Sequence, residues 1–226
     1  MPSIQNALIV FFKWAKAGDV KTRLTPPLSP EQAAELYRAF VLDSFEKFKQ
    51  IKNLDVLGFA AGDLGRGGTL EQDVLQMNVS LFMQSGDGLG ERMSRAFESA
   101  FHQGYQRVVI VGTDSPDLPT AYLNAAFEVL SSPRQTVCIG PTDDGGYYAL
   151  GMNNFFPDVF LNVPYSAATT YRETLRRVCA LPIFYAPLPR WYDIDDINDL
   201  QKLVKSSGFG ELRRTKAAIE ELKEKI

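Results

Sequence analysis

The residues with chemistry to offer are carboxylates and cations grouped where apolar runs end. Residues 107–119 read RVVIVGTDSPDLP. The aliphatic run 108–111 leads into Gly112, and Asp114 and Asp117 follow in a turn stiffened by Pro116 and Pro119. Carboxylates so placed can hold a hard divalent cation, and a cation there can hold a diphosphate. The same residues can equally shape the turn and cap the helix behind it. A second group follows the apolar run 7–12, where Lys13, Lys16, Lys21 and Arg23 surround Gly18. Glycine permits close backbone approach and the cations neutralise oxygens, which suits phosphate; a solvated basic loop has the same composition. It is not a Walker A loop, because Val20 precedes Lys21 and Thr22, and Ala15 stands at the first glycine position.

Three further stretches carry candidates. In SGDGLGERMSRAF, Gly86, Gly88 and Gly90 precede a helix, with Glu91 where a dinucleotide fingerprint needs glycine. The loop either admits a nucleotide base or ribose to the backbone or is a flexible turn with Asp87 as N-cap. In GPTDDGGYYALG, the carboxylates Asp143 and Asp144 can accept from sugar hydroxyls while Tyr147 and Tyr148 stack on an apolar sugar face. Gly145 and Gly146 also mark a hairpin turn there, and both readings can hold together. In WYDIDDINDLQKLV, Asp195 or Asp196 caps a helix, but Asp193, Asp195, Asp196 and Asp199 exceed what one cap needs and leave room for a second metal ligand. The single histidine, His102, falls late on a helix as a surface or cap residue, so neither acid–base chemistry through histidine nor a Cys–His nucleophile is expected.

The elements that must position these groups alternate. Strands are expected at 7–12, 54–60, 79–83, 108–111 and 136–140, with a proline-interrupted edge strand at 181–188. Helices are expected from Pro30 (Ser29 as N-cap), at 69–76, 89–103, 120–130 and 166–178, before the acidic segment's helix and a charged amphipathic tail at 211–226. Ala33, Leu36, Tyr37, Phe40, Val41, Phe45 and Phe48 recur at helical spacing and read as core, as do Phe155, Phe156 and Phe160. Such alternation predicts a mostly parallel sheet with helices on both faces.

Composition sets the outer bounds. A chain of 226 residues, 45% hydrophobic, is one α/β domain with a sizeable core. A net charge of −3 speaks against nucleic acid as partner. Cys138 and Cys179 form no C-x-x-C pair, which fits a cytoplasmic protein with reduced thiols. The run 7–12 is broken at Lys13, too short for a signal core or membrane span.

Taken together and in order, GDVKTRL, GDGLGERM, VGTDSPDLP, GPTDDGGYYALG and DIDDINDL resemble the bacterial family of nucleotide-diphospho-sugar transferase-like proteins of GT-A fold, from about residue 7 to 200. The resemblance implies a single-domain α/β three-layer sandwich with a mostly parallel central sheet, its core at about 7–206 and a C-terminal helix at 210–224. It implies metal-dependent transfer of a sugar from a nucleotide-diphosphate donor to an acceptor. Asp114 and Asp195 match the positions holding Mg2+ or Mn2+, and Lys21 and Arg23 match the loop near the phosphates. Gly88 and Gly90, on the residues' own reading, would let a nucleotide base or ribose approach the backbone. Asp144, Gly145, Gly146 and Tyr147 match the segment near the sugar or acceptor, with Asp143 or Asp144 as base or orienting group. Ala15 and Ala17 stand where the family often has proline, Tyr165 where it has tryptophan, and Asp196, Ile197 and Asn198 in place of Thr-Pro-Glu. Two other readings share the motifs: a nucleotidyltransferase acting on a nucleoside triphosphate, and a non-catalytic nucleotide- or partner-binding module.

Overall fold

In β1 (Asn6–Lys13), Leu8, Val10 and Phe12 pack to one side of the sheet, and Ala7, Ile9 and Phe11 to the other. A strand with both faces buried needs an unbroken apolar run, which is what this stretch supplies. The computed structural model describes residues 5–223. Beside β1 lie β2 (Asp55–Ala61), β3 (Ser80–Met83), β4 (Arg107–Val111), β5 (Thr136–Pro141), β6 (Tyr147–Met152) and β7 (Phe184–Pro187), in the order β3-β2-β1-β4-β6-β5-β7. Every strand pair is parallel except the two made by β6, which runs antiparallel to β4 and β5. The sheet is thus mostly parallel, with β4 at its centre and β7 at an edge.

Helices cover both faces and make three layers. On one side lie α1 (Pro30–Phe48), α2 (Gly68–Gln76) and α4 (Thr120–Leu130), and on the other α3 (Leu89–His102) and α5 (Thr170–Cys179). Ser29 starts α1 through a capping box, accepting from the Gln32 N–H at 3.2 Å while the Gln32 side chain accepts from the Ser29 N–H at 2.9 Å. The stripe from Ala33 to Phe48 is buried as its spacing predicts. A third apolar cluster joins Leu36 and Phe40 of α1 to Leu24, Leu28, Tyr192 and Ile194, and to α6 (Ile197–Lys205) and α7 (Arg213–Glu221). It anchors the loop that follows β1 to the segment that precedes α6.

Three local expectations need correction. The helix expected at 166 begins at Thr170, because Ser166 has φ +60°, a left-handed conformation that no α-helical turn accommodates. Asp87 does not cap α3; Gly88 is the N-cap, without a side-chain bond, and the Glu91 carboxylate accepts from the Asp87 N–H at 2.9 Å. The tail divides into a 3-10 turn at Phe209–Glu211 and α7, while positions 224–226 of the expected helix lie outside the described residues. No helix among the described residues is long and apolar enough to cross a membrane.

Candidate functional site

A cleft of about 900 Å3 opens at the carboxyl ends of β1, β2, β3 and β4, the edge at which open α/β sheets bind ligands. Its floor is Lys21. This residue adopts a left-handed backbone, φ 47° and ψ 39°, after the buried Val20, and its side chain is only 4% exposed. The ammonium donates to the Asp114 carboxylate and to the Ile194 carbonyl at 2.6 Å, with Asp195 Oδ1 at 4.0 Å. Arg23, exposed, donates to Asp195 Oδ2 at 3.2 Å. Asp114 and Asp195, from loops far apart in the chain, therefore share one buried cation.

Main-chain and side-chain bonds stitch those two loops together. The Ile194 N–H donates to the Asp114 carbonyl at 2.9 Å. Ser115 Oγ lies 2.7 Å from both the Tyr192 carbonyl and Asp193 Oδ1. Burial pushes the Asp193 carboxyl up to about 7, a rise helped by Asp114 and Asp144 and opposed by Ser115 and Lys21. Asp117 is 4% exposed and plays a structural part: it accepts from Tyr192 OH at 2.5 Å and Trp191 Nε1 at 3.3 Å. It does not cap α4, whose N-cap is Pro119. Tyr37 OH accepts from the Lys13 N–H at 3.0 Å and meets Thr113 Oγ1 at 3.1 Å, tying the ends of β1 and β4 to α1. Burial first, and the Asp114 charge second, push that phenol upward.

The four carboxylates around the start of α6 divide their work. Asp196 accepts from the N–H groups of Asn198 (2.8 Å) and Asp199 (3.1 Å), and Asp199 reaches back to the N–H groups of Asp195 and Asp196, both at 3.1 Å. One pair caps the helix, Asp193 lies against Ser115, and Asp195 faces Lys21 and Arg23.

The hairpin between β5 and β6 forms the opposite wall. Asp144, Gly146 and Tyr147 line the cleft. Asp144 Oδ1 accepts from Thr142 Oγ1 at 2.5 Å and from the Gly146 N–H at 2.9 Å, so it is held in the turn. Asp143, its neighbour, is directed elsewhere, within 3.6 Å of Lys202 and 3.9 Å of Arg190, and does not line the cleft. Gly145 stands at φ +90° with its carbonyl accepting from the Tyr171 N–H at 2.9 Å. Tyr147 OH contacts Met93 Sδ at 3.8 Å, and burial raises its phenol strongly. Gly88 and Gly90 flank Leu89, which lines the cleft with Arg92; a Cβ on Gly90 would meet Tyr165 Cε2 at 2.3 Å. Glycine is needed at position 90 for an aromatic neighbour.

Residues outside the sequence expectations also line the cleft. Gln84 donates through Nε2 to the carbonyls of Phe12 (3.3 Å) and Phe59 (2.9 Å), which fixes its amide at the end of β3. Its position directly before SGDG was the available signal. The turn 165–168 closes the wall beside the hairpin, and Tyr165, standing where the resembled family has tryptophan, was its available signal.

The donor set suits a hard cation in part. Asp114 and Asp195 have half-exposed side chains, 51% and 43%, and Mg2+ or Mn2+ is commonly held by one or two carboxylates plus phosphate oxygens and water. Among the described residues no group of three or more His, Cys, Asp or Glu is arranged to hold a metal alone. Two carboxylates would supply part of such a cation's shell and leave its other positions to water and ligand oxygens.

Residues 47–167 match the family described as an uncharacterized protein conserved in bacteria (DUF2064). A protein of Desulfovibrio desulfuricans G20, provisionally named a nucleotide-diphospho-sugar transferase, is 32% identical over 96% of this chain and 98% of its own, with a TM-score of 0.84. A cytidylyltransferase of Leptospira borgpetersenii shares 15% identity over 98% of this chain and 94% of its own, at a TM-score of 0.58. A mannosyltransferase of Pyrobaculum calidifontis, solved with GDP-Man and Mn2+, shares 9% over 98% and 75%, at 0.56. At those last two identities the likeness is one of fold. No curated protein matches the chain.

Proposed function

This chain belongs to the DUF2064 family, and from its likeness to the Desulfovibrio protein and the geometry of its cleft we propose that it is a nucleotide-dependent transferase, and more narrowly that it moves a sugar from a nucleotide-diphosphate donor to an acceptor hydroxyl. The reading rests on one observation: Asp114 and Asp195 converge on the Lys21 ammonium at the floor of the cleft. Cations and carboxylates alternating at one rim suit a pyrophosphate, whose charge must be neutralised as the nucleoside diphosphate departs.

Each of the chain's groups has a part in that reading. Lys21 and Arg23 bind the diphosphate oxygens. Leu89, Arg92 and Gln84 line the side that takes the nucleoside. Asp144, held by Thr142 and Gly146, orients the acceptor hydroxyl and accepts its proton, while Asp143, outside the cleft lining, takes no direct part. Tyr147 and the turn 165–168 exclude water from the acceptor side. Asp114 and Asp195 would hold a divalent cation, which when bound supplies further charge neutralisation at the diphosphate. The cytoplasm, where Cys138 and Cys179 would stay reduced, is the compartment that goes with this reading.

Thermal shift against nucleoside diphosphates, triphosphates and nucleotide sugars, with and without Mn2+, followed by an assay for nucleoside diphosphate release, tests this. Stabilisation by a nucleotide sugar that needs Mn2+, with release in the presence of an acceptor, is expected. A preference for triphosphates with pyrophosphate release would make it a nucleotidyltransferase, and binding without turnover a non-catalytic module.

A further inference from the structure

We propose that Lys21 is a placeholder for the divalent cation, so that metal binds this protein tightly only in company with a diphosphate. The inference rests on the transferase reading above and adds the order in which its ligands enter.

The Lys21 side chain is 4% exposed, whereas the carboxylates it serves, Asp114 and Asp195, are about half exposed. Hydrogen-bond acceptors for its ammonium are the Asp114 carboxylate and the Ile194 carbonyl at 2.6 Å. The rings of Tyr37 and Phe40, with centroids at 6.0 and 5.8 Å, line its apolar side. Its backbone sits in the left-handed region, which an L residue with a side chain adopts only where its surroundings enforce it. Arg23, by contrast, has a side chain 76% exposed and is paired with Asp195 at 3.2 Å. Lys21 is therefore the buried cation of the site, bonded to Asp114 and near Asp195, with Arg23 a second, exposed cation on Asp195.

Two cations between the same carboxylates repel each other, the more so away from water. Metal arriving alone must evict the ammonium and leave it buried without a counter-charge, which is costly. A diphosphate arriving with the metal offers the ammonium new oxygen acceptors, and Asp114 and Asp195 are released to the metal. Metal and diphosphate thus favour each other's binding, and linkage makes the coupling equal in both directions.

Mn2+ alone, followed by electron paramagnetic resonance on the full chain after EDTA treatment, reads the first half. Lys21→Met and Lys21→Gln should each bind Mn2+ about tenfold tighter than wild type, within the usual span of coupling between sites. Thermal shift reads the second half on wild type alone, which keeps the test intact if both variants fail to fold. The Mn2+–pyrophosphate complex should raise Tm by more than the sum of Mn2+ and pyrophosphate given separately. Variants that bind Mn2+ no tighter than wild type, or shifts that simply add, overturn the proposal. If Mn2+ and pyrophosphate behave as expected but no nucleoside diphosphate or nucleotide sugar binds, the transferase reading falls and the role of Lys21 stands. If nucleotide sugars bind with Mn2+ while the Lys21 variants gain nothing, the reverse holds.

Discussion

Lys47 of α1 donates from its ammonium to the carbonyl of Leu118 at 2.7 Å, and also to that of Pro116, so a helix on the covered face pins the loop that carries Asp114. Burial lowers the Lys47 ammonium to about 8, against the opposing pull of Asp117, Glu211 and Asp43. A lowered lysine means that the unfolded chain holds more protons than the native one between about pH 8 and 10.5. Stability attributable to this group therefore rises with pH across that window. Between pH 7.5 and 9.5, wild type should gain about 1–2 kcal/mol relative to Lys47→Met in urea unfolding. Parallel pH profiles for the two proteins would contradict it.

Asp114→Asn should abolish the Mn2+-dependent part of any nucleotide-sugar thermal shift. The unliganded protein should also melt lower, because the buried Lys21 side chain loses its carboxylate partner. A metal-dependent shift equal to that of wild type would remove Asp114 from the cation site.

Asp117→Ala should destabilise more than Asp114→Asn, although Asp114 is the residue in the cleft. It leaves Tyr192 OH and Trp191 Nε1 without their acceptor in a buried setting. The expected cost is about 3 kcal/mol, or a fall in Tm of roughly 6–12 °C for a chain of this size. Calorimetry of the two variants side by side checks the ranking.

Gly145→Ala places a Cβ 2.1 Å from the Ala168 carbonyl oxygen at a residue with φ +90°. Main chain cannot yield as a side-chain tip can, so a loss of about 2–4 kcal/mol is expected. Gly88→Ala, with nothing within 4 Å of the added Cβ, serves as the control and should unfold within about 1 kcal/mol of wild type. Denaturant midpoints distinguish the two.

Much of this fold was legible because its signals are local. The aliphatic runs of β1 and β4, the Ser29 box of α1 and the Asp196 cap of α6 each declare themselves within a few residues. The strand β6 was not itself named, although the hairpin signal at Gly145 and Gly146 already implies a segment that returns antiparallel to β5. Adjacent or nearby carboxylates were equally hard to separate. Asp114 and Asp117 share a turn, yet one lines the cleft and the other is buried against Trp191 and Tyr192. Asp143 and Asp144 are consecutive, yet only the second lines it. What divides each pair is a partner far along the chain, which composition cannot supply.

The reversed strand has a consequence for variation. Because β6 is locked on both sides, with Gly151 paired to Val109 and to Cys138, the tip at 142–146 hangs from a rigid stem and meets the ligand-facing rim. Exchanging that tip would work like changing a tool head: one wall is replaced, and the grip around Lys21 feels the change only through the seam where Thr142 meets Arg190 and Trp191.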